Sequence, residues 1–583
     1  MVTGNVPAIR NTRLTTHNRM IRNPALLGRL ALWGAWTCPA SLTVAHGGTP
    51  LQTAVNLAVA MGLGGIAAFL PRALWRIACA VTVLCLPFTI WWIGYAAVGG
   101  AGPGYDAAVA VVQTNQSEVS GALDIIRHNA PFATVTALHL LLLALACRCA
   151  WRHREAVTAA EKRFVVVGLA ASLLPLGLAL ALADQLSEQQ RHAVRLQPGN
   201  GPFNWARAER PHPLFGPATF ASPLGSAEEI ASMKLRLASR AEAQDYRRVA
   251  PPPMPQVKEP TLAIFFIGES ARLAGIGPEH AARGVASRAL NDRIARGLGA
   301  WLPPTCAAGD GTHLSVPSLL TMTPADQFPA ALVKPTVMGL VHAAGYRTAW
   351  LADNHGGPDA QERGHDLYAG MFNVNPDDLY GDHLVSWRSD ADMLPAARDF
   401  ARDARGPRAI LMHSIGSHFP YQARYPADFF APEPEGLDAE ALTDLRYDRS
   451  LEYTVHVVLG AASIVDASPA PAFLIYTSDH GENLPSDHDG LQGHLAARTS
   501  TGVAWVPTFV LWNQAMADTG RPQRILEALK KAPVIAHLDV SRAFLGLAGV
   551  AEGPVEPTPT PMTWGRAAIG DEYGPVACSR LAP

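Results

Sequence analysis

The feature that most constrains this chain is a set of long apolar blocks in its first third. They cover the ranges 30–45, 51–70, 77–98, 130–147 and 164–183. The third and fifth blocks carry no charge, and both match the about 20 residues of helix that cross a hydrocarbon core. Because so many blocks fall within the first 183 residues, they predict five membrane spans rather than the buried helices of a soluble core.

Basic residues fall in alternate connections between these blocks. Lys and Arg precede the first block and occupy the second and fourth connections, whereas the third contains only Arg127 and the first contains none. Since basic residues concentrate in cytoplasmic loops, residues 1–23 are predicted to be cytoplasmic, and everything after residue 183 to lie outside the cytoplasm. No small-residue cleavage site is evident, so the first block is interpreted as an anchor. Arg29, at its end, is expected to extend its head into the membrane interface.

Charge and cysteine usage narrow the class further. The formal net charge is −2, which provides no basic field for nucleic acid. Of seven cysteines, only Cys306 and Cys578 lie beyond the membrane section. They can pair in an oxidising compartment, but their spacing leaves that pairing open.

The remainder of the chain divides at a proline-rich break. Residues 184–257 are polar and end near PPPMP, which indicates a linker. From residue 258 onward, short apolar runs alternate with helix-like segments, and the runs are TLAIFFIG, YRTAWLAD, RAILMHSIG, PAFLIYTSD and VPTFVLWN. This alternation predicts an α/β domain with a mostly parallel central sheet covered on both faces.

Ionisable side chains follow four of these predicted strands. In chain order they are Glu269, then Asp353 with Asn354 and His355, then His413 and His418, then Asp479 and His480. Ligands of such sheets bind beyond the carboxyl ends of the strands. Carboxylates and imidazoles without thiolates suit zinc in a catalytic site, or manganese.

A hydroxyl group precedes a further predicted helix in GDGTHLSVP. Gly309 and Gly311 permit a tight turn, and Thr312 begins the helix. A helix N-terminus favours a phosphate, so Thr312 is a candidate nucleophile. It can equally be an ordinary N-cap, since Thr is common there.

These motifs, in this order, carry a resemblance. GESAR, the GDGT–SVP element, HSIGSH, and SDHGEN with a later His resemble the membrane-bound phosphoethanolamine transferases of the alkaline phosphatase and sulfatase superfamily. The five predicted spans fit as well. The resemblance implies a multi-pass protein of the bacterial inner membrane with a periplasmic catalytic domain of alkaline-phosphatase-like fold.

The resemblance also implies roles for individual residues. Zinc, as one or two ions, would be held by Glu269, Thr312, Asp479 and His480. Thr312 would be the nucleophile that becomes phosphorylated. His418 and His494 would bind the transferred group or a second metal ion, and one of them would serve as general acid or base. His494 fits the family's late histidine better than His488, which is interpreted as a loop residue.

Other positions concern substrates. VQTNQSE resembles the family's QTNxxE segment, which implies that Thr114 and Glu118 contact the lipid head group, and Asn354 is assigned to substrate binding as well. Three departures leave the acceptor open between lipid A, lipopolysaccharide core and a periplasmic glucan. Ala308 and Ser318 occupy the places of a disulfide that flanks the nucleophile in lipid A-modifying members, and Ala110 replaces an Asn.

The resulting hypothesis assigns four segments: 1–23 cytoplasmic, 24–183 the five-span domain, 184–257 the linker, and 258–583 the periplasmic catalytic domain. The chain would move phosphoethanolamine from phosphatidylethanolamine to a glycolipid or glycan hydroxyl. The alternatives are a phosphoglycerol transferase of the same superfamily and a catalytically silent membrane scaffold. A sulfatase is disfavoured because no C/S-x-P-x-R sequence surrounds Cys306 or Ser315.

Overall fold

The structure, a computed structural model, forms two compact units, one helical and one α/β. It describes residues 24–41, 50–84, 86–87, 89–90, 93–94, 129–152, 159–183, 251–277, 284–327, 334–352, 389–402, 406–488, 491–494, 498–551, 555–565, 567 and 574–581.

The described part of the helical unit contains α1 (Pro24–Thr37), α2 (Pro50–Phe69), α3 (Arg72–Leu84), α4 (Ala130–Arg152) and α5 (Ala159–Ala183). The start of α4 has a visible cause: Asn129 Oδ1 accepts the backbone N–H of Phe132 at 2.9 Å. Asn at this position satisfies a donor that the helix itself cannot. Of the described helices, α4 is long and apolar enough to cross a membrane, and the apolar stretches Ala60–Phe69 and Val165–Pro175 are shorter. The five-span prediction is therefore not confirmed beyond one candidate.

Arg29 differs from the expectation. Its side chain is buried rather than extended to an interface, with 2% of its surface exposed. Its Nη1 donates to the carbonyls of Ala68 and Leu70 at 2.8 and 2.7 Å, and its guanidinium lies over the Trp75 ring. The last carbonyl groups of a helix have no partner within the helix and attract a cation. This explains why the Arg29 guanidinium points toward the end of α2.

The α/β unit is built on a six-stranded sheet. Its strands are β1 (Leu262–Gly268), β2 (Gly299–Trp301), β4 (Arg347–Ala352), β5 (Arg408–His413), β6 (Ala472–Ser478) and β8 (Thr508–Trp512), and their order is β2-β8-β6-β1-β5-β4. All five predicted strands are present. Strands β6, β1, β5 and β4 pair in parallel, as predicted.

One predicted strand runs the other way. Strand β8 pairs antiparallel with β6, and β2, which the sequence did not reveal, pairs antiparallel with β8. The chain leaves β6 at one edge of the sheet and returns at the same edge without a crossover helix, and such a connection requires an antiparallel partner. The central sheet is therefore mixed but mostly parallel.

Side chains of β1 alternate between two cores. Ala263, Phe265 and Ile267 pack in one cluster, while Leu262, Ile264 and Phe266 pack in the other. This is the period of two that a strand imposes, and both faces are apolar because helices cover both. The larger described helices are α6 (Val285–Ala295), α7 (Thr312–Thr321), α8 (Val337–Ala343), α9 (Met393–Arg402), α10 (Ala439–Asp466), α13 (Arg521–Leu529) and α14 (His537–Leu547).

Short elements complete the unit. The helices α11 (Thr501–Ala504) and α12 (Gln514–Asp518) flank β8. A three-stranded sheet has the order β7-β3-β9, with β3 (Thr305–Cys306), β7 (Trp505–Val506) and β9 (Ile535–Ala536). A two-stranded sheet joins β10 (Met562–Gly565) to β11 (Gly574–Ala577).

Candidate active site

Strand register brings the predicted residues to one edge of the sheet. Ile267 of β1 lies opposite both His413 of β5 and Thr477 of β6. The backbone pairing continues past the strand ends, because Asp479 N donates to Gly268 O at 2.9 Å. Glu269 and Asp479 therefore emerge side by side. The neighbouring strand β4 ends at Ala352, and the prediction for Asn354 lies outside the described residues, as do those for Thr114 and Glu118.

Three of these side chains form a buried pocket. Glu269, Asp479 and His480 are fully buried, and their candidate ligand atoms lie within 4.8 Å of one another. His480 Nε2 is 3.3 Å from Glu269 Oε1 and 3.3 Å from Asp479 Oδ2. We call this group the metal pocket, because two carboxylates and one imidazole at such spacing match the ligand chemistry of zinc.

Hydrogen bonds orient the ligand atoms of the pocket. Asp479 Oδ1 accepts the backbone N–H groups of Ser270 at 3.1 Å and His480 at 2.7 Å. Asp479 Oδ2 is buried and accepts no hydrogen bond from the described residues. His480 Nδ1 lies 2.8 Å from the carbonyl of Gly481, so it would keep its proton there, and Nε2 would be the nitrogen that gives up a proton to bind a cation. An orphaned carboxylate oxygen beside an available imidazole nitrogen fits a divalent cation.

Burial and the charges of neighbouring groups together shift the pKa values of all three groups. Burial, together with the charge of Glu269, raises the pKa of Asp479 well above its usual range. Burial acts on Glu269 in the same direction, but the hydrogen bond and charge of His480 outweigh it and hold the pKa of Glu269 well below its usual range. Burial alone would lower the pKa of His480, yet Asp479 and Glu269 raise it to about 10. The pKa shifts thus favour the protonated forms of Asp479 and His480 and the anionic form of Glu269.

Thr312 directs its hydroxyl into this pocket. Its Oγ1 lies 3.2 and 3.1 Å from the two carboxylate oxygens of Glu269 and 3.2 Å from His480 Nε2. The N-cap of α7 is Gly311, in an extended conformation, and Thr312 is the first residue inside the helix. The alternative that Thr312 is only an N-cap is therefore wrong, because its hydroxyl contacts the pocket rather than the helix backbone.

Two further histidines border the pocket, and we call them the histidine pair. The ring of His494 lies 4.3 Å from that of His480 and 5.5 Å from that of His418, measured between centroids. His418 Nδ1 is 2.8 Å from the carbonyl of Phe419. His494 Nδ1 is 3.5 Å from Glu482 Oε2, and burial lowers the pKa of His494. The pair thus lies beside the metal pocket.

The sequence did not assign a role to Glu482, which is buried beneath His494. It also did not pair Arg272 of GESAR with Asp487. Nη1 and Nη2 of Arg272 donate hydrogen bonds to the two carboxylate oxygens of Asp487 at 3.0 and 2.9 Å. His488, by contrast, is 74% exposed and 3.7 Å from Glu440, consistent with its interpretation as a loop residue. The many charged residues after β6 indicated that some of them would form contacts at the site. The sequence did not show which partner each charged side chain would contact.

Other buried polar groups lie behind the pocket. His413 ends β5 but points inward, and burial lowers its pKa to about 4. His537, at the start of α14, accepts the N–H of Ala308 at Nδ1 and donates from Nε2 to the carbonyl of Ser478, at 3.1 and 2.9 Å. Ser315 Oγ lies 3.1 Å from the same Nδ1. No motif pointed to His537, because its partners are distant in sequence.

The two cysteines of the α/β unit are joined. Cys306 and Cys578 form a disulfide across 272 positions of sequence. Both are fully buried. The pairing that the sequence left open is therefore made in the structure, and it ties the C-terminal residues to the strand that leads toward Thr312.

The α/β unit is also similar to known proteins. The Sulfatase family profile matches residues 261–550. Phosphoethanolamine transferase EptA of Escherichia coli (strain K12) is 26% identical over 313 residues, which are 51% of this chain and 55% of that protein. Phosphoethanolamine transferase EptC of the same strain is 24% identical over 239 residues, which are 39% of this chain and 40% of that protein. The aligned part thus spans about half the length, or less, of these curated relatives.

A solved structure extends the likeness to both units. The integral membrane protein lipooligosaccharide phosphoethanolamine transferase A (EptA) from Neisseria meningitidis superposes with a TM-score of 0.57 at 18% identity. The superposition covers 90% of this chain and 95% of that one, so the two share a fold. The sulfatase profile, the curated relatives and the shared fold are all consistent with the phosphoethanolamine transferase family that the sequence motifs resemble.

Proposed function

We propose that this chain transfers phosphoethanolamine from phosphatidylethanolamine to a hydroxyl of a glycolipid or glycan, through a phosphorylated Thr312. The acceptor would be lipid A, lipopolysaccharide core or a periplasmic glucan. The relatives are named phosphoethanolamine transferases, and a further one, 32% identical over 102 residues, is named Kdo(2)-lipid A phosphoethanolamine 7''-transferase. These names support the group transferred and a glycolipid acceptor.

One observation carries the proposal: the Thr312 hydroxyl faces two carboxylate oxygens and one imidazole nitrogen at 3.1 to 3.2 Å. A hydroxyl is a weak nucleophile unless a neighbouring group or a metal draws its proton away. Glu269 accepts the hydrogen bond of that hydroxyl, which moves the proton away from Oγ1. The first turn of α7 lies at the same point, and N–H groups of a helix N-terminus attract a phosphate.

The metal pocket would hold one zinc ion through Glu269, Asp479, His480 and Thr312 itself. The proposal also allows a second ion, which would bind beside the histidine pair. When bound, zinc would lower the pKa of the Thr312 hydroxyl and neutralise charge on the phosphoryl oxygens. The protein's own contribution is to exclude water from the pocket, since its three ligand side chains are fully buried. Low local polarity strengthens each electrostatic contact there.

The reaction would then proceed in two halves. Thr312 Oγ1, whose proton would pass to Glu269, forms a bond to phosphorus while the bond from phosphorus to the glycerol oxygen breaks, and His418 or His494 gives a proton to that oxygen to release diacylglycerol. In the second half the same histidine takes the proton of the acceptor hydroxyl, whose oxygen displaces Thr312. Thr312 Oγ1 then recovers its proton from Glu269. The ring of His494 lies 4.3 Å from that of His480, which supports a proton donor beside the phosphorylated group.

The lipid donor requires access to a membrane. We propose that residues 24–183 form five spans, with 1–23 cytoplasmic, 184–257 a linker and 258–583 exported to the periplasm. The candidate span α4 and the alternation of basic connections support this topology. Reporter fusions at residue 20 and at residue 583 should report cytoplasm and periplasm respectively. The same compartment for both would refute the odd number of spans.

The deciding experiment looks for the covalent intermediate. The full chain, incubated with phosphatidylethanolamine vesicles and no acceptor, should gain the mass of one phosphoethanolamine on Thr312 and release diacylglycerol. A Thr312→Ala chain should gain nothing. An unmodified wild-type chain that nevertheless consumes the lipid would mean that water attacks directly. An adduct of phosphoglycerol mass, formed from phosphatidylglycerol vesicles in preference, would favour the phosphoglycerol transferase instead.

A further inference from the structure

The described C-terminal residues run beside the residues that precede Thr312. Strands β10 and β11 pair antiparallel, and residues 578–581 follow them. We call β10, β11 and residues 578–581 together the C-terminal ribbon. Trp564 N donates to Ala308 O at 2.9 Å, and Asp310 N donates to Trp564 O at 3.1 Å. These bonds form a parallel bridge between Gly309 and Trp564, so the ribbon backbone holds the turn that delivers the nucleophile.

A second contact lies one residue further along the ribbon. Thr499 Oγ1 donates to Asp310 Oδ2 at 2.7 Å, and Asp310 is buried. A Cβ atom at Gly565 would collide with Thr499 Oγ1 and lie 3.0 Å from Asp310 Oδ2. The ribbon therefore approaches this pair so closely that only glycine fits at position 565.

The third contact is covalent. The disulfide between Cys306 and Cys578 fixes the end of the ribbon two residues before Ala308. Trp505 Nε1 also donates to the carbonyl of Leu581. Because a crosslink between distant residues removes chain freedom, the disulfide limits how far the ribbon can move away from the turn.

These contacts belong to a cluster separate from the two main cores. Cys306, Trp505, Val576, Cys578 and Leu581 pack together with Ala504. They are not members of the clusters on either face of the six-stranded sheet. Loss of the ribbon is therefore expected to change the turn at residues 308–311 more than the sheet itself.

We propose that the C-terminal ribbon is a positioning element for Thr312 and that the Cys306–Cys578 disulfide keeps it in place. The inference rests on the proposed function, in which Thr312 is the nucleophile. Position matters because a misplacement of about 1 Å in a reacting group can cost roughly 100-fold in rate. The active form of the enzyme would therefore depend on an oxidised disulfide whose Cys306 precedes Thr312 by six positions.

Two glycines of the ribbon provide a matched pair for the test. Gly565 lies directly opposite Gly574 in the β10–β11 sheet, but a Cβ at Gly574 would meet nothing within 4 Å. We expect Gly565→Ala to lower kcat by roughly 10- to 100-fold with little change in KM for the lipid donor, and Gly574→Ala to behave as wild type. Equal kcat for the two variants would overturn the proposal.

A second measurement does not depend on activity. Amide hydrogen exchange of the full chain should show faster exchange at residues 308–312 in Cys578→Ser, and in wild type treated with dithiothreitol, a dithiol that supplies two electrons and two protons to the disulfide. Peptides from β1 and β6 should keep their protection. Unchanged exchange at 308–312, or an equal loss in β1 and β6, would overturn the proposal. If wild type transfers nothing, the proposed function fails, while this exchange comparison still decides the role of the ribbon.

Discussion

The metal pocket and the histidine pair lie side by side but are held in different ways. Glu269 and Asp479 directly follow β1 and β6, whose register is fixed by continuous parallel pairing. His418 and His494 lie on loops, and the His494 side chain remains 20% exposed. The pocket is therefore fully buried at the ends of paired strands, whereas the pair lies on loops at the border with solvent.

This difference matches two chemical tasks. Groups that bind a metal need fixed distances, and a sheet edge provides them. A group that protonates one oxygen and later deprotonates another must serve two different substrates, and a partly exposed loop is suited to that. We therefore expect variants of the pocket to lose metal, and variants of the pair to lose rate while keeping metal.

The largest effect should come from Thr312, which contacts the pocket and performs the attack in the proposed mechanism. Thr312→Ala should lower transfer by at least roughly 10⁴-fold, because loss of a nucleophile removes the covalent route. Thr312→Ser should retain part of the rate, since it lacks only a methyl group. Elemental analysis should find zinc in both variants. An active Thr312→Ala enzyme would contradict the covalent route.

The next effect concerns metal content. Asp479→Asn should lower zinc affinity by more than the roughly 10- to 100-fold that loss of an outer-shell partner costs, because Asp479 Oδ2 is buried, faces the pocket and accepts no hydrogen bond from the residues that the structure describes. Dialysis against a chelator followed by elemental analysis measures this loss. His494→Gln is the matched comparison and should keep wild-type zinc. Loss of zinc in both variants would mean that the pair is itself part of the ligand set.

The histidine pair should affect rate alone. His418→Gln and His494→Gln should each lower kcat, and the variant that removes the acid or base should lose roughly 10²- to 10⁴-fold. The exposed His488 is a control, and His488→Gln should leave kcat unchanged. Transfer to a glycolipid acceptor, followed by mass spectrometry, gives the rates. Wild-type kcat in both pair variants would exclude them as acid and base.

Sequence patterns predicted the parts of this fold that depend on local chemistry. Apolar runs ending in polar residues indicated the strands β1, β4, β5, β6 and β8. The motif order indicated that Glu269, Asp479 and His480 would gather at one edge, where the structure has them. Such features are visible because each depends on a few adjacent residues.

Features that depend on distant partners were not predictable in the same way. The direction of β8 follows from where its connection returns, and the partners of Arg272 and His537 lie 215 and 229 positions away. The burial of Arg29 depends on carbonyls at the end of another helix. In each case the local sequence has no distinguishing pattern, and the outcome is determined by tertiary packing.

The smallest expected effect is on stability and involves His537, which supports both sides of the pocket from behind. Burial lowers its pKa to about 3, whereas in an unfolded chain the value is about 6.5. Between these values the unfolded state binds the proton and the folded state does not, so stability falls as pH falls. The contribution of His537 to the free energy of unfolding is fully present above pH about 6.5. It amounts to a few kcal/mol at most, since one pKa unit corresponds to about 1.4 kcal/mol.

Replacement by a group that does not titrate isolates this contribution. A Gln side chain can donate and accept hydrogen bonds, as His537 does with Ser478 and Ala308, but it takes no proton in this range. His537→Gln should therefore flatten the fall of Tm between pH 6.5 and 4, whatever its Tm at neutral pH. His488→Gln, which removes an exposed histidine, is the control for loss of an imidazole as such. Thermal unfolding of the full chain in detergent measures the slope of Tm against pH for each variant. Equal slopes for wild type and His537→Gln would mean that His537 titrates normally and does not hold the two sides of the pocket as a neutral group.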